Sequence, residues 1–189
     1  MTTAEKNCVH IPEVLLPGKD VDLHKWAVIA CDQFTSEPEY WDRVEATVGE
    51  APSTYHLILP EAWLNRPDRD ERIDYAQSHM QQYLDTNIFE THKGFVLVER
   101  TVGDAIQTGL IVALDLEKYD YNRGSKSLVR ATEGTILDRL PPRMQVRRGA
   151  PLELPHILVL YDDPHRTVLT PILEQKENLP LAYDFDLME

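Results

Sequence analysis

Arginine is the residue type that could do chemistry in this chain, through where it gathers. Between Arg123 and Arg148 lie seven basic side chains, Arg123, Lys126, Arg130, Arg139, Arg143, Arg147 and Arg148, against two acidic ones, Glu133 and Asp138. The whole chain carries a net charge of −13. A basic cluster inside an acidic protein is a place to hold an anion. The guanidinium fork fits phosphate or carboxylate in bidentate fashion. Thr132 is placed to N-cap a short helix that takes in Thr135. There backbone N–H groups, a hydroxyl and the helix dipole would bind the anion together. Arg130 and Arg139 flank that cap. Pro141-Pro142 interrupt the helix, and Pro142 opens a second one running to Gly149, on which Arg143 and Arg147, four apart, share a face. The anion-binding candidates are therefore Arg130, Thr132, Thr135, Arg139, Arg143 and Arg147. The competing reading makes the arginines a solvated face paired with surrounding carboxylates, since surface ion pairs are common and weak.

Two carboxylates could serve as acid or base beside such a site. Glu133 lies in the basic stretch itself. Asp32 follows the apolar run Trp26–Cys31, the position at which α/β proteins place ligand-contacting groups, although an Asp there is also an ordinary turn former. Cys31 becomes a nucleophile only if a base approaches it; otherwise it is a small buried hydrophobe. Asp162-Asp163 could hold Mg²⁺ beside a phosphate, but the DDP sequence reads first as a turn. The seven histidines show no HxxxH or HExxH spacing, so no metal site is expected; the sequence does not say which cofactor, if any, is used.

Composition narrows the function further. At 189 residues and 42% hydrophobic content, the chain can bury the core of a single domain. An acidic pI near 4.9 argues against a nucleic-acid partner, which needs a broad basic surface. The two cysteines, Cys8 and Cys31, have no CxxC or ligand spacing and indicate a reducing compartment. The longest apolar runs, Leu110–Leu114 and Ile157–Tyr161, are far short of a membrane span, and the N-terminus lacks a signal-peptide pattern. The expectation is a cytoplasmic protein with no membrane partner.

The elements that must position these groups follow in order. Residues 1–25 read as an extended lead-in, because Pro12, Pro17 and Gly18 forbid a long helix. Trp26–Cys31, Tyr55–Pro60 and His156–Tyr161 each read as a buried strand. Ser36 and Glu39 form a capping box for a helix over Glu37–Val48, stopped by Gly49. Asp68 caps a longer helix over Arg69–Asp85, with Ile73, Ala76, Met80, Leu84 and Ile88 on its apolar stripe. Gly94–Val102 and Ala105–Asp115, separated only by Gly103-Asp104, form an antiparallel hairpin. A partly helical Thr167–Glu177 closes the chain. The fold class is α/β or α+β: a mixed sheet with an antiparallel hairpin and flanking helices, in one domain.

The blocks WAVIACDQFTSEPEYWDRV, PSTYHLILPE, SLVRATEGTILDRLPPR and APLELPHILVLYDDP, spread from about His10 to the C-terminus, resemble the N-terminal part of the domain of unknown function 1015 family. The resemblance implies a cytoplasmic bacterial or archaeal protein. It also implies a distant likeness to the ParB/sulfiredoxin-like superfamily, whose members bind nucleotides or phosphates and some of which transfer phosphoryl groups. That superfamily's phosphate-contacting loop corresponds to a Gly-[Asn/His]-His motif that this sequence lacks. On this resemblance the chain is a truncated or split version of a longer domain. Asp32 and the Thr132, Glu133, Thr135, Arg143 block match polar positions of the family.

Two function classes follow. One is part of a phosphoryl-transfer or phosphate-ester enzyme that binds a small phosphorylated or carboxylated metabolite or a nucleotide, with Glu133 or Asp32 as acid/base. The other is a non-catalytic ligand-binding or regulatory module using the same pocket. A homo-oligomer, or a second chain supplying the missing half, is the expected protein partner.

Overall fold

The computed structural model describes residues 7–132, 134, 136–137, 140–154 and 156–187. Helices and strands are mixed along the chain, and the chain divides into two compact units. One unit gathers the described residues of Met1–Leu16 and Thr91–Ile136, the other those of Pro17–Glu90 and Leu137–Glu189.

The first unit is built from short strands. β1 (Val9–His10) pairs antiparallel with β6 (Ala113–Leu114), and β7 (Tyr119–Asp120) pairs parallel with β8 (Val129–Arg130). Its backbone is the hairpin of β4 (Val96–Val102) and β5 (Ala105–Ile111), paired antiparallel from Val96↔Ile111 to Val102↔Ala105. The two-residue Gly103-Asp104 loop closes it as expected, with Gly103 at φ +57°, where the missing Cβ makes the left-handed conformation cheap. A further pair, β2 (Glu13–Pro17) with β3 (Phe89–Lys93), makes four two-stranded ladders among the described residues. The strand content is thus spread over separate ladders and not gathered into one sheet, because the three runs expected to supply interior strands do not form any.

The second unit is helical. α2 (Pro38–Val48) and α3 (Arg69–Asp85) fall where the periodicity places them. α2 starts with Pro38 in its first turn, where its missing N–H costs nothing, and stops at Gly49, φ +55°. Its N-cap is Glu37 without a side-chain bond, so Ser36 does not form the expected box. Asp68 stands at the N-cap of α3 but also makes no capping bond. Its carboxylate bonds Arg66 at 3.1 Å and Arg72 at 2.7 Å instead. Two guanidinium groups, each carrying a full positive charge, thus outcompete the helix N–H groups for this carboxylate. α3 buries Ile73, Ala76, Met80 and Tyr83; Leu84, assigned to that stripe from sequence, is exposed.

The apolar runs take other forms. Asp22 caps the one-turn helix α1 (Leu23–Trp26) by accepting from the His24 N–H at 3.1 Å, so the extended lead-in ends there. Trp26 thereby becomes a helix end and not the start of a strand. Its carbonyl accepts from the Thr54 hydroxyl at 2.8 Å. Tyr55–Pro60 is buried, but it begins as a 3₁₀ turn over Thr54–Leu57, because the Ser53 hydroxyl accepts from the Tyr55 N–H at 3.1 Å and closes the chain on itself. The core forms around it. Trp41, Val44, Val48, Tyr55, Leu59, Trp63 and Ile73 make one cluster; Trp26, Leu57, Met80 and Tyr83 make the other. His156–Tyr161 lies in no helix or ladder, and Ile157, Leu158 and Leu160 are about four-fifths exposed, at 85%, 78% and 80%. α4 (Leu140–Arg147) and α5 (Leu169–Leu173) complete the unit.

Candidate functional site

α4 carries Arg143 and Arg147, and its sequence begins Leu140-Pro141-Pro142, so both prolines occupy the first turn, where neither lacks a needed donor. The expected break between two helices is therefore a helix start. α3 holds α4 in place. The Gln77 amide donates to the carbonyls of Val146 at 2.9 Å and Arg148 at 3.0 Å, satisfying the end of α4. The Gln145 amide in turn donates to Asp70 at 3.1 Å. Gly149, at φ +84°, turns the chain away.

Held this way, Arg143 meets Glu61. Its Nε donates at 3.1 Å and its Nη2 at 2.6 Å to the same carboxylate oxygen. The carboxylate side chain is 14% exposed and the arginine 49%. Two bonds to one oxygen fix the guanidinium plane and leave Nη1 directed away from the pair. Glu61 is itself anchored, because its N–H donates to the Cys31 carbonyl at 2.8 Å. Cys31 and Asp32 thus belong to the same neighbourhood. The Glu61 hydrogen bond raises the pKa of Arg143 above its ordinary value, and the charges of Glu61, Asp32 and Cys31 add to it. Burial pushes the Cys31 thiol up, Asp32 and Glu61 push it further, and Arg143 opposes them. Cys31 is consequently a protonated thiol at neutral pH and not an activated nucleophile.

Residues 15–189 match the family described as protein of unknown function (DUF1015). The chain belongs to that family. No curated protein and no solved structure matches it.

In this DUF1015 member the residues nominated from sequence are distributed as follows. Asp32 and Arg143 are brought into electrostatic range of each other. Arg147 shares the helix of Arg143 but pairs with Glu153 at 3.0 Å, both partners being more than half exposed. Arg130 is exposed on β8 of the other unit, and Thr132 is an exposed bend residue there, not a helix cap. Glu133, Thr135 and Arg139 lie outside the described residues. Asp163 spends its carboxylate on the chain that follows, accepting from the N–H groups of Thr167 and Val168, each at 2.9 Å, which holds its pKa below the usual range. The turn reading of Asp162-Asp163 holds. Among the described residues no group of three or more metal-ligating side chains occurs, and no helix is long and apolar enough to cross a membrane.

Sequence reasoning missed Glu61, whose partner lies 82 positions away. It also missed a second polar neighbourhood between α2 and α3, around a cavity of about 140 Å³ lined in part by Glu45, Tyr55, His56, Trp63 and Arg72. Arg72 stacks on Trp63 with 4.2 Å from its Cζ to the ring centroid and pairs with Glu45 at 3.6 Å. Trp63 Nε1 is buried without a hydrogen-bond partner, while the buried Tyr55 hydroxyl lies near Glu45 and Arg72: burial raises its pKa, Glu45 adds to the rise and Arg72 opposes it. Beside them His56 is fixed at both ring nitrogens, 2.9 Å from the Tyr83 hydroxyl and 3.0 Å from the Gly49 carbonyl. Facing a carbonyl, Nε2 must carry the proton, so Nδ1 accepts from Tyr83 and the ring is neutral. Burial, with His79 nearby, lowers its pKa accordingly.

Proposed function

We propose that the chain is a cytoplasmic binding domain for a small anionic metabolite or nucleotide, phosphorylated or carboxylated, and that the larger activity it serves is phosphoryl transfer or phosphate-ester chemistry. The observation that carries the reading is Arg143: a half-exposed guanidinium held in plane by Glu61, within electrostatic range of Asp32. An arginine already fixed loses less freedom when it takes up an anion than a free surface arginine does. Nη1 is the edge it offers, and Arg147, released from its exposed pair with Glu153, supplies a second charge at small cost. Asp32 would act as the acid/base group.

A second reading, a non-catalytic ligand-binding or regulatory module, is favoured by the state of Cys31. The one thiol in the neighbourhood is held protonated by burial and two carboxylates, and Arg143 is already neutralised by Glu61. Such a site is suited to recognition without turnover.

A thermal-shift screen of phosphorylated metabolites and nucleotides tests both. A ligand that binds only the folded chain stabilises it by about 2.7 kcal/mol at a hundred times its Kd. The expected result is a hit whose shift disappears in Arg143→Ala. A hit unaffected by that substitution, or no shift with any anion, overturns the site. Turnover of a hit, abolished by Asp32→Asn, favours the enzyme over the module.

A further inference from the structure

The segment His156–Tyr161 is the most exposed apolar run of the second unit. Ile157, Leu158 and Leu160 are 85%, 78% and 80% exposed, and Val159 and Tyr161 are 46% and 55% exposed. No backbone N–H or C=O of residues 156–162 is hydrogen-bonded among the described residues. The composition is that of a strand: β-branched and aromatic residues, no charge from Ile157 to Tyr161, and prolines at 155 and 164 that fix where pairing must stop. A chain with this composition and an unpaired backbone is a template for strand addition.

We propose that this segment docks against the same segment of a second copy of the chain, as an antiparallel pair with Val159 on the two-fold axis. The charge pattern selects that occupant and that register. With Val159 opposite itself, Leu158 faces Leu160, Ile157 faces Tyr161, and His156 faces Asp162, each pair occurring twice. Every apolar residue then meets an apolar one. The Asp162 carboxylate meets an imidazole that can donate to it whether neutral or protonated. A parallel in-register pair would instead stack Asp162 and Asp163 on their own copies. A slip of one residue sets Ile157 opposite Asp162 in one direction and leaves Asp162 facing Pro155 in the other. The contact is isologous, so it closes at two copies and does not propagate. It is also small, so the pair is weak, with a dissociation constant on the order of 100 µM. The proposal rests on this segment alone and is independent of the anion site.

Light scattering of the 189-residue chain across a concentration series should show a monomer passing to a dimer. His156→Asp, which places like charges in register, should weaken the dimer at least about fivefold, and the swap His156→Asp/Asp162→His should restore it. With Cys8 and Cys31 replaced by serine, Val159→Cys should form an intermolecular disulfide under mild oxidation, because residues opposite each other in an antiparallel pair stand within bridging distance. Ile157→Cys, which faces Tyr161 of the second copy, should not. A chain that stays monomeric to about 500 µM, a dimer indifferent to both His156 variants, or equal cross-linking at 157 and 159 would overturn the proposal. Binding of a different strand-bearing polypeptide to a monomeric chain would overturn the choice of a second copy.

Discussion

Tyr55–Pro60 and His156–Tyr161 are alike in composition, YHLILP and HILVLY, each a short run rich in leucine and isoleucine, and the fold treats them oppositely. Tyr55, Leu57 and Leu59 are 6%, 1% and 5% exposed, whereas Ile157, Leu158 and Leu160 are about four-fifths exposed. Neither run is a strand. The first lies among α2, α3 and Trp26: the Ser53 hydroxyl accepts from its Tyr55 N–H, and just before it the Thr54 hydroxyl donates to the Trp26 carbonyl and the Tyr83 phenol accepts from the Ser53 N–H. The second has no such neighbours. An apolar run states a demand for burial; which surface meets it is decided by residues far away in sequence.

The widest separation between the two runs should appear on truncation. Leu57→Ala removes a side chain that is 1% exposed and in contact with the Trp26, Met80 and Tyr83 cluster. It should cost about 2–5 kcal/mol in urea unfolding, as other buried leucines do. A cost below about 1 kcal/mol would mean that the cluster is loosely packed, and the contrast with the exposed run would lose its basis.

Next in size is the polar support of the buried run. The Tyr83 hydroxyl accepts from the Ser53 N–H at 3.0 Å and serves the His56 ring at 2.9 Å. Tyr83→Phe keeps the ring and strands both partners in a buried place. The expected loss is about 1–3 kcal/mol, the penalty for leaving buried polar groups unsatisfied. A neutral result would show that solvent reaches Ser53 and His56.

The same contrast explains what could be read from sequence. α2, α3 and the β4–β5 hairpin were legible because their signals are local: helical spacing with a Gly stop, and a Gly-Asp loop between two β-rich runs. The three short apolar runs were not, since periodicity cannot distinguish a strand from a buried turn over six residues. Asp32 and Arg143 were nominated for their types, yet nothing in either segment shows that they meet. Glu61, which holds Arg143, reads in sequence as an unremarkable residue after Pro60. Helix caps failed for a related reason: Asp68 is a good cap by type, but two arginines within four residues compete for its carboxylate.

Acid should weaken the buried run selectively. His56 is neutral in the fold and its pKa lies below the ordinary value, chiefly because burial penalises the charged ring. The unfolded chain therefore binds the proton more readily. Stability is fully present above the unfolded value of about 6.5 and declines as pH falls from there toward the folded pKa. Carboxylates such as Asp68 and Asp163, whose pKa values are lowered by their partners, act only in a more acidic window. Urea unfolding at stepped pH should show the His56 slope between about pH 7 and 5. His56→Gln should flatten it, and an unchanged slope would place the titrating group elsewhere.

The smallest expected effect is the most direct test of the opening contrast. Leu160 is 80% exposed, so its side chain gives up little water contact on folding of a single copy. Leu160→Ser, measured in dilute solution where copies do not associate, should change unfolding free energy by no more than about 0.5 kcal/mol. The urea m-value should also be unchanged, because the area exposed on unfolding is the same. At Leu59, 5% exposed, the same exchange would both open a cavity and bury a hydroxyl, and it should cost several times more. If Leu160→Ser instead cost more than about 1.5 kcal/mol in the monomer, the segment would be packed within its own chain. The contrast between the two runs would then vanish, and with it the unpaired edge on which self-association depends.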